Sequence, residues 1–409
     1  MKRTADVLVV GGGPAGSATA ILLARAGLEV CLLEKSHFPR EKPCGDYLNP
    51  GCVPLLERLG VLSLLEAECP QPIRGMRIEA PEGTVLMGTY PGNGIPPHGY
   101  SLPRYMFDTL LFEAARRAGV ECHEGCRVMD LIWEGPRVTG VVADSEGQPQ
   151  SFRASVTIGA DGRNSAVARR LNLFSWHPSH RKVALVRRFQ VAQDLGDLGE
   201  VYLGRAGYCI LNPQGGGKVN IGVVVDQRDL PLHRAWEGVF CELLDAYPQV
   251  RVKLGDARPL NRLRVVGPLA CRAERVAGDG FLLVGDAAGY YDPMTGQGVY
   301  QALKGAELAA EAVCKGDITR EALGRYAVAY RREFASQDRV CRLLQQIVCR
   351  PRLCESVGRH LQNRGEHLLE LMGVVGDLLP AHRLLRPGFW ASLLVEGVPS
   401  LTRLIRCVR

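Results

Sequence analysis

"DVLVVGGGPAGSATAILLARAGLEVCLLEK" (residues 6–35) reads as strand, glycine turn, helix and second strand in unbroken succession. Val7 to Val10 form a continuous apolar run, the pattern of a parallel strand buried on both faces. Gly11, Gly13 and Gly16 supply the G-x-G-x-x-G spacing. The first permits a tight turn, the second lets backbone N–H groups approach a pyrophosphate, and the third lets helix pack on strand. The helix expected from about Pro14 and Ala15 to Arg25 points its partly positive N-terminus at the phosphates. Ala26-Gly27 ends it, and the strand "EVCLLE" finishes on Glu34, an acid suited to ribose hydroxyls. A dinucleotide with a free 2′-hydroxyl follows, so FAD or NAD fits better than NADP.

Two later stretches favour FAD. "VTIGADGRNSAVARR" (156–170) is a strand running into Ala160-Asp161-Gly162 and a helix start. "GFLLVGDAAGYYDPMTGQGVYQALKGAELAA" (280–310) is an apolar strand, an aspartate at its end, a Pro/Gly loop and a long helix. Each ends a strand where a doubly wound sheet places its ligands. One mononucleotide does not need three such loops; an extended FAD does.

At 409 residues the chain can hold two to three domains. The apolar run at the start goes straight into the glycine turn without a cleavage site, so no signal peptide is expected. No apolar run approaches the roughly 18–20 residues that span a bilayer. A cytoplasmic location is expected, with fourteen cysteines acting mostly as small buried hydrophobes. Cys122, His123 and Cys126 lie close together, but nothing downstream completes a ligand set, so no metal is expected. Net charge is +7, and Arg339 to Arg409 holds eleven Arg against five acids. No nucleic-acid motif accompanies that charge. Solvated helix faces explain it, and a membrane, a carrier protein or an acidic substrate is the alternative.

The glycine triplet, Ala160-Asp161-Gly162 and Gly285-Asp286 together resemble the three FAD signatures of the para-hydroxybenzoate-hydroxylase-like flavoprotein superfamily, over roughly residues 1–310. The resemblance implies that Asp286 binds the ribityl chain and that the Gly296–Gly298 loop faces the flavin pyrimidine. Arg104 matches an arginine opening a cofactor-side helix, although Arg104 and Asp108 also read as an i,i+4 pair. Pro43-Cys44-Gly45, in "PREKPCGDYLNPG" (39–51), resembles the loop of the geranylgeranyl reductase branch whose cysteine lies beside the flavin ring. Proline would fix the approach and glycine would let backbone pass a flat ring, with Arg40 and Lys42 acting on the thiol. "GYCILNPQGGGKVNIGV" (207–223) resembles that branch's Tyr-x-Trp-x-Phe-Pro hairpin, with Tyr208 and Pro213 matching and Ile210 and Asn212 replacing the aromatics that wall an isoprenoid tunnel. Gly289 is reductase-like and Gln297 hydroxylase-like; the Trp-x-Trp-x-Ile-Pro motif of halogenases is absent.

The implied fold is α/β: a Rossmann-like FAD-binding domain (1–75, 100–175, 265–330), an inserted antiparallel β-sheet substrate domain (76–99, 176–264) and a helical C-terminal region (331–409). The implied cofactor set is Gly11, Gly13, Pro14, Ala15, Gly16, Glu34, Lys35, Arg40, Cys44, Gly45, Arg104, Asp161, Gly162, Gly285, Asp286, Pro293, Gly296 and Gly298. Cys44, Tyr208 and Asp46 are the catalytic candidates. No second glycine-rich nucleotide motif is present, so NAD(P)H docks transiently or a protein donor delivers electrons. The expected activity is reduction or dehydrogenation of a carbon–carbon bond in an apolar, isoprenoid or carrier-bound substrate. A monooxygenase working through a C4a-hydroperoxide and a non-catalytic prenyl-lipid escort are the alternatives.

Overall fold

The computed structural model describes residues 3–92, 97–230, 235–315, 318–386 and 388–390. Five strands pair in parallel in the order Phe281–Leu283, Gln148–Gly159, Arg3–Val10, Val30–Leu33, Glu121–His123. Their register positions the site. Val10 pairs with both Leu33 and Gly159, and Gly159 pairs with Leu283. The loops that follow, beginning at Gly11, Glu34, Ala160 and Val284, therefore start side by side although up to 273 positions separate them. Val7, Leu8 and Val9 are fully buried, as a strand covered on both faces must be: Val7 and Val9 meet helices, and Leu8 meets the antiparallel strands Cys126–Glu134 and Arg137–Ser145. The helices Pro14–Arg25, Arg104–Arg117 and Gly298–Cys314 pack on one side, their Ile21, Phe107, Phe112 and Leu303 meeting in a common core.

A second sheet runs Arg258–Pro259, Lys182–Gln190, Lys218–Asp226, Gly207–Pro213, Leu198–Leu203, Gly75–Glu79, Val85–Thr89. The 207–226 hairpin forms in the expected antiparallel register. One pairing departs from the antiparallel expectation: Leu198–Leu203 lies parallel to Gly75–Glu79. Between these strands the chain returns to the dinucleotide sheet for strands Glu121–His123 and Gln148–Gly159, which gives it the long connection a parallel pair needs. Both faces of this sheet are covered. Val183 and Leu185 join the core against helices Trp236–Asp245 and Pro248–Leu254, while Ala184 and Val186 point to the opposite face.

Helix Arg320–Val348 crosses the expected 330/331 boundary without a break. Its first half packs on the dinucleotide sheet, with the Tyr326 hydroxyl donating to the Leu283 carbonyl at 2.7 Å; its second half puts Val340, Leu343 and Ile347 beneath the second sheet. Helices Pro351–Asn363 and Gly365–Val375 follow. Of the expected basic tail, residues 391–409 lie outside the described residues. Among the described residues no helix is long and apolar enough to cross a membrane.

Candidate active site

The glycine turn is held by backbone contacts that leave no room for side chains. Gly11 has φ +103, and a Cβ there would lie 2.6 Å from the Ala160 carbonyl oxygen. A Cβ on Gly16 would lie 1.8 Å from the Gly11 carbonyl oxygen. A Cβ on Gly285, at φ +61, would lie 2.9 Å from the Ala15 Cβ. Helix Pro14–Arg25 starts at Gly13 with no side-chain cap and no acid in its first turn, so its first amides remain free for an anionic ligand.

Above these turns opens a cavity lined by Gly13, Pro14, Ala15, Gly162, Asp286, Pro293, Gly296 and Gly298 on one side and by Cys44, Gly45 and Arg104 on another. Among the described residues the Asp286 carboxylate has no hydrogen-bond partner, so it faces the cavity with free acceptors. The second sheet forms the roof with Val186, Val201, Ile210 and Val224, joined by Leu269 and Met294.

Several expected residues support the cavity from behind. Glu34 is buried; its carboxylate accepts from Gly12 N at 2.8 Å and Ser36 N at 3.0 Å and lies 3.6 Å from Arg40. Lys35 is exposed and outside the cavity lining. Asp161 turns one carboxylate oxygen onto the amides of Ala166 (2.6 Å) and Val167 (3.3 Å), opening helix Ala166–Arg170, while its other oxygen is buried with no partner. Burial pushes that carboxyl above the usual range. Arg104 forms the expected i,i+4 pair with Asp108 and also lines the cavity. It grips Asp108 through two hydrogen bonds of 2.7 and 2.9 Å, and its Nη1 reaches Cys44 Sγ at 3.5 Å. Arg40 binds the same Asp108 at 3.0 Å. Burial alone would raise the Asp108 carboxyl; Arg104 and then Arg40 hold it below the usual range.

Two of the three catalytic candidates, Asp46 and Tyr208, lie outside the cavity lining. Asp46, 1% exposed, sits at φ +56 beneath the Cys44 loop. Its carboxylate accepts from Asn220 Nδ2 (2.6 Å), Gln214 Nε2 (3.0 Å) and Arg104 N (3.1 Å), and Arg188 lies 3.4 Å away. Tyr208 is fully buried and donates to the Asp292 carboxylate. Asp292 also takes His180 (2.9 Å), Lys182 (3.3 Å) and Gln345 (2.7 Å) and accepts from Met294 N, which fixes the loop ahead of Gly296. Cys44 alone of the three lines the cavity. Asp46→Ala would leave Arg188 facing a hole in a network of four donors, at a cost of about 2–4 kcal/mol. A lower thermal midpoint and lower flavin content are expected, with turnover per bound flavin within about threefold of wild type. Normal stability with turnover abolished would instead make Asp46 catalytic.

The fold brings in residues that the motifs do not name. Asn212 Nδ2 donates to the Gly45 carbonyl (2.7 Å) and Asn220 Nδ2 to that of Cys44 (3.1 Å), so the roof holds the thiol loop by its backbone. Asn212 also lines the cavity, and its Oδ1 is buried without a partner. The available signal was an asparagine on the inward register of each apolar strand. Lys42 lines the cavity too; burial, then Arg104, lowers its pKa, while Asp286 opposes the shift. Elsewhere, ligand atoms of Cys31, Glu121 and His123 lie within 4.8 Å of one another, a different trio from the one suggested by spacing, and none of them lines the cavity.

These turns, the free helix start and the free Asp286 acceptors would hold a dinucleotide in a cavity with an apolar roof. That combination defines a flavin-dependent oxidoreductase. The sequence profile described as "FAD binding domain" matches residues 4–337. A menaquinone reductase of Mycolicibacterium smegmatis is 28% identical over 393 residues, 93% of each chain. Digeranylgeranylglycerophospholipid reductase 2 of Methanococcoides burtonii is 32% identical over 350 residues, 81% of each chain. A geranylgeranyl bacteriochlorophyll reductase-like protein of Thermoplasma acidophilum has the same fold, with a TM-score of 0.76 at 22% identity over 100% of both chains. The chain belongs to the FAD-binding flavoproteins, in their geranylgeranyl reductase branch, and is an FAD-dependent oxidoreductase.

Proposed function

We propose that this enzyme reduces a carbon–carbon double bond in an isoprenoid-type substrate. The observation that carries the reading is the cavity's make-up: an apolar roof of Val186, Val201, Ile210, Val224 and Leu269 over a floor bearing the Cys44 thiol. An isoprenoid chain buries well against such a roof, at about 25 cal/mol per Å² of apolar surface. When bound and reduced, FAD supplies the electron pair. The chain's own groups then bind, orient and protonate. The turns at Gly11–Gly16 and Gly285 would hold the dinucleotide, Asp286 would take its ribityl hydroxyls, and the start of helix Gly298–Cys314 would favour negative charge placed before it. Cys44 Sγ supplies the proton to the second alkene carbon, positioned by Arg104 and by the Asn212 and Asn220 bonds to its loop. A thiol here also argues against the oxygenating alternative, because peroxide chemistry beside it would oxidise the sulfur.

The relatives named as reductases of menaquinone and of a digeranylgeranyl lipid support the same substrate class. The test is NAD(P)H oxidation with a polyprenyl quinone and with a geranylgeranyl lipid, following oxygen uptake in parallel. A product that gains two hydrogens without oxygen uptake supports reduction; stoichiometric uptake with an oxygenated product refutes it.

A further expectation concerns chain length. Val224→Trp fills the roof with an indole at the sheet's centre. KM for a twenty-carbon chain is expected to rise about tenfold or more, with little change for a five-carbon analogue. Equal effects on both substrates would remove the roof from the binding site.

A further inference from the structure

The segment Gly289–Gly298 is a partition. One side faces the cavity described above. Behind the other side lies a second cavity of about 350 Å³, between residues 271–276 and helix Arg320–Val348. Tyr290, Thr295 and Gly298 line both.

Four arginines line the second cavity: Arg272 and Arg275 from one wall, Arg331 and Arg342 from the helix. Among the described residues none of them forms a salt bridge with a carboxylate. The lining contains three acids. Asp292 is already held by His180 and Lys182, burial raises the Asp338 carboxyl while Arg342 opposes the shift, and Glu274 is exposed, as the four arginines are. Positive charge therefore dominates a concave wall, a geometry that concentrates anions. His177 adds a buried Nδ1 with no hydrogen-bond partner. Its ring stands edge-on to Tyr291 at 5.5 Å, and Tyr291 stacks on His180 at 4.3 Å. Guanidinium forks match the paired oxygens of a phosphate better than a single charge would, and four of them exceed what one carboxylate needs.

We infer that this second cavity binds a phosphate ester, seated on the opposite face of the loop from the flavin. A ligand there bridges the 271–276 segment to the long helix and clamps the loop whose far side meets FAD. Three sources carry this chemistry: the phosphates of a pyridine dinucleotide, the phosphorylated head of a lipid substrate, and free inorganic phosphates. The inference concerns binding alone and holds whichever reaction the enzyme performs.

The experiment is calorimetric titration of the FAD-loaded protein with inorganic pyrophosphate, so that the dinucleotide cradle is already filled. Saturable binding is expected. Arg331→Gln/Arg342→Gln should weaken it at least about tenfold, and Arg325→Gln, on the same helix but outside the lining, should not. Unchanged flavin absorbance shows that each variant is folded. Displacement by NADPH identifies the reductant as the source, displacement by glycerol 3-phosphate identifies a lipid head, and displacement by neither identifies free phosphates. No saturable binding up to about 10 mM, or equal binding by the double variant, overturns the inference.

Discussion

Gly16→Ala is expected to yield a protein that cannot hold flavin. The new Cβ would stand 1.8 Å from the Gly11 carbonyl oxygen, and both partners are backbone, so no rotamer change relieves the clash. Relief comes only from lifting the helix off the strand or opening the turn. Overpacking of this kind costs about 1–3 kcal/mol or more, and the turn that distorts is the one that carries the pyrophosphate. FAD affinity should fall by about a hundredfold or more, and the thermal midpoint should drop with it. Gly13→Ala gives a sharp contrast. The nearest atom to its Cβ is an Arg40 nitrogen at 3.7 Å, ordinary contact distance. That variant should fold with a near-normal apo midpoint and still bind FAD poorly, because the added methyl meets the ligand rather than the chain. The check is flavin absorbance per protein, with thermal unfolding of both apo variants. Normal flavin content in Gly16→Ala would show that the turn does not carry the cofactor.

The second large effect is expected at Asp377, where helix Gly365–Val375 ends. Its carboxylate is the meeting point of three amides: Asn49 (2.6 Å), Gln297 (2.7 Å) and Gln337. Among the described residues no cation pairs with it, and burial pushes its pKa up to about 8, far above the usual carboxylate range, against the three hydrogen bonds. Gln337 Oε1 is buried without a partner, so a proton on Asp377 would also give that oxygen a donor once the amide turns. The sign follows from linkage. The folded state keeps this proton to higher pH than the unfolded chain does, so its stabilising contribution is complete below about pH 4 and is lost progressively as pH rises to about 8. The total swing is on the order of 5 kcal/mol. Asp377→Asn cannot titrate. It should lose a little stability at acid pH through one mismatched amide contact, and overtake wild type above neutrality. The measurement is the thermal midpoint of both proteins from pH 5 to pH 9. Parallel curves would mean that the buried carboxyl is already ionised.

Asp377 also illustrates what one sequence conceals. "GVVGDLL" reads as a helix end, and nothing local marks the aspartate. Its three partners come from residues 49, 297 and 337, and only the folded chain brings them together. The glycine turns were legible for the opposite reason. Gly11 and Gly16 answer to atoms within a few residues or to the adjacent strand, so spacing alone encodes their purpose. The Cys44 loop lies between these cases. The resemblance placed the thiol toward the cavity, but Asp46 and Tyr208 looked equally polar and equally close in sequence to site motifs. Each turned out to face inward, because the second sheet and the long helix supply partners that consume their hydrogen bonds. Asn212 and Asn220 were concealed by the same logic: each is one polar residue in an apolar strand, and its target is a backbone carbonyl more than 160 positions away. The parallel pairing of Leu198–Leu203 with Gly75–Glu79 escaped a reading based on hairpins, since alternation fixes which face is buried but not which neighbour a strand takes.

The most direct measurement mixes flavin-reduced enzyme with a geranylgeranyl lipid or polyprenyl quinone under strict anaerobiosis and follows the oxidised-flavin band. The expected result is full return of that band in one turnover, with one double bond saturated per flavin and the return slowed by Cys44→Ala. A band that returns only when oxygen is admitted, with an oxygen atom in the product, would contradict it.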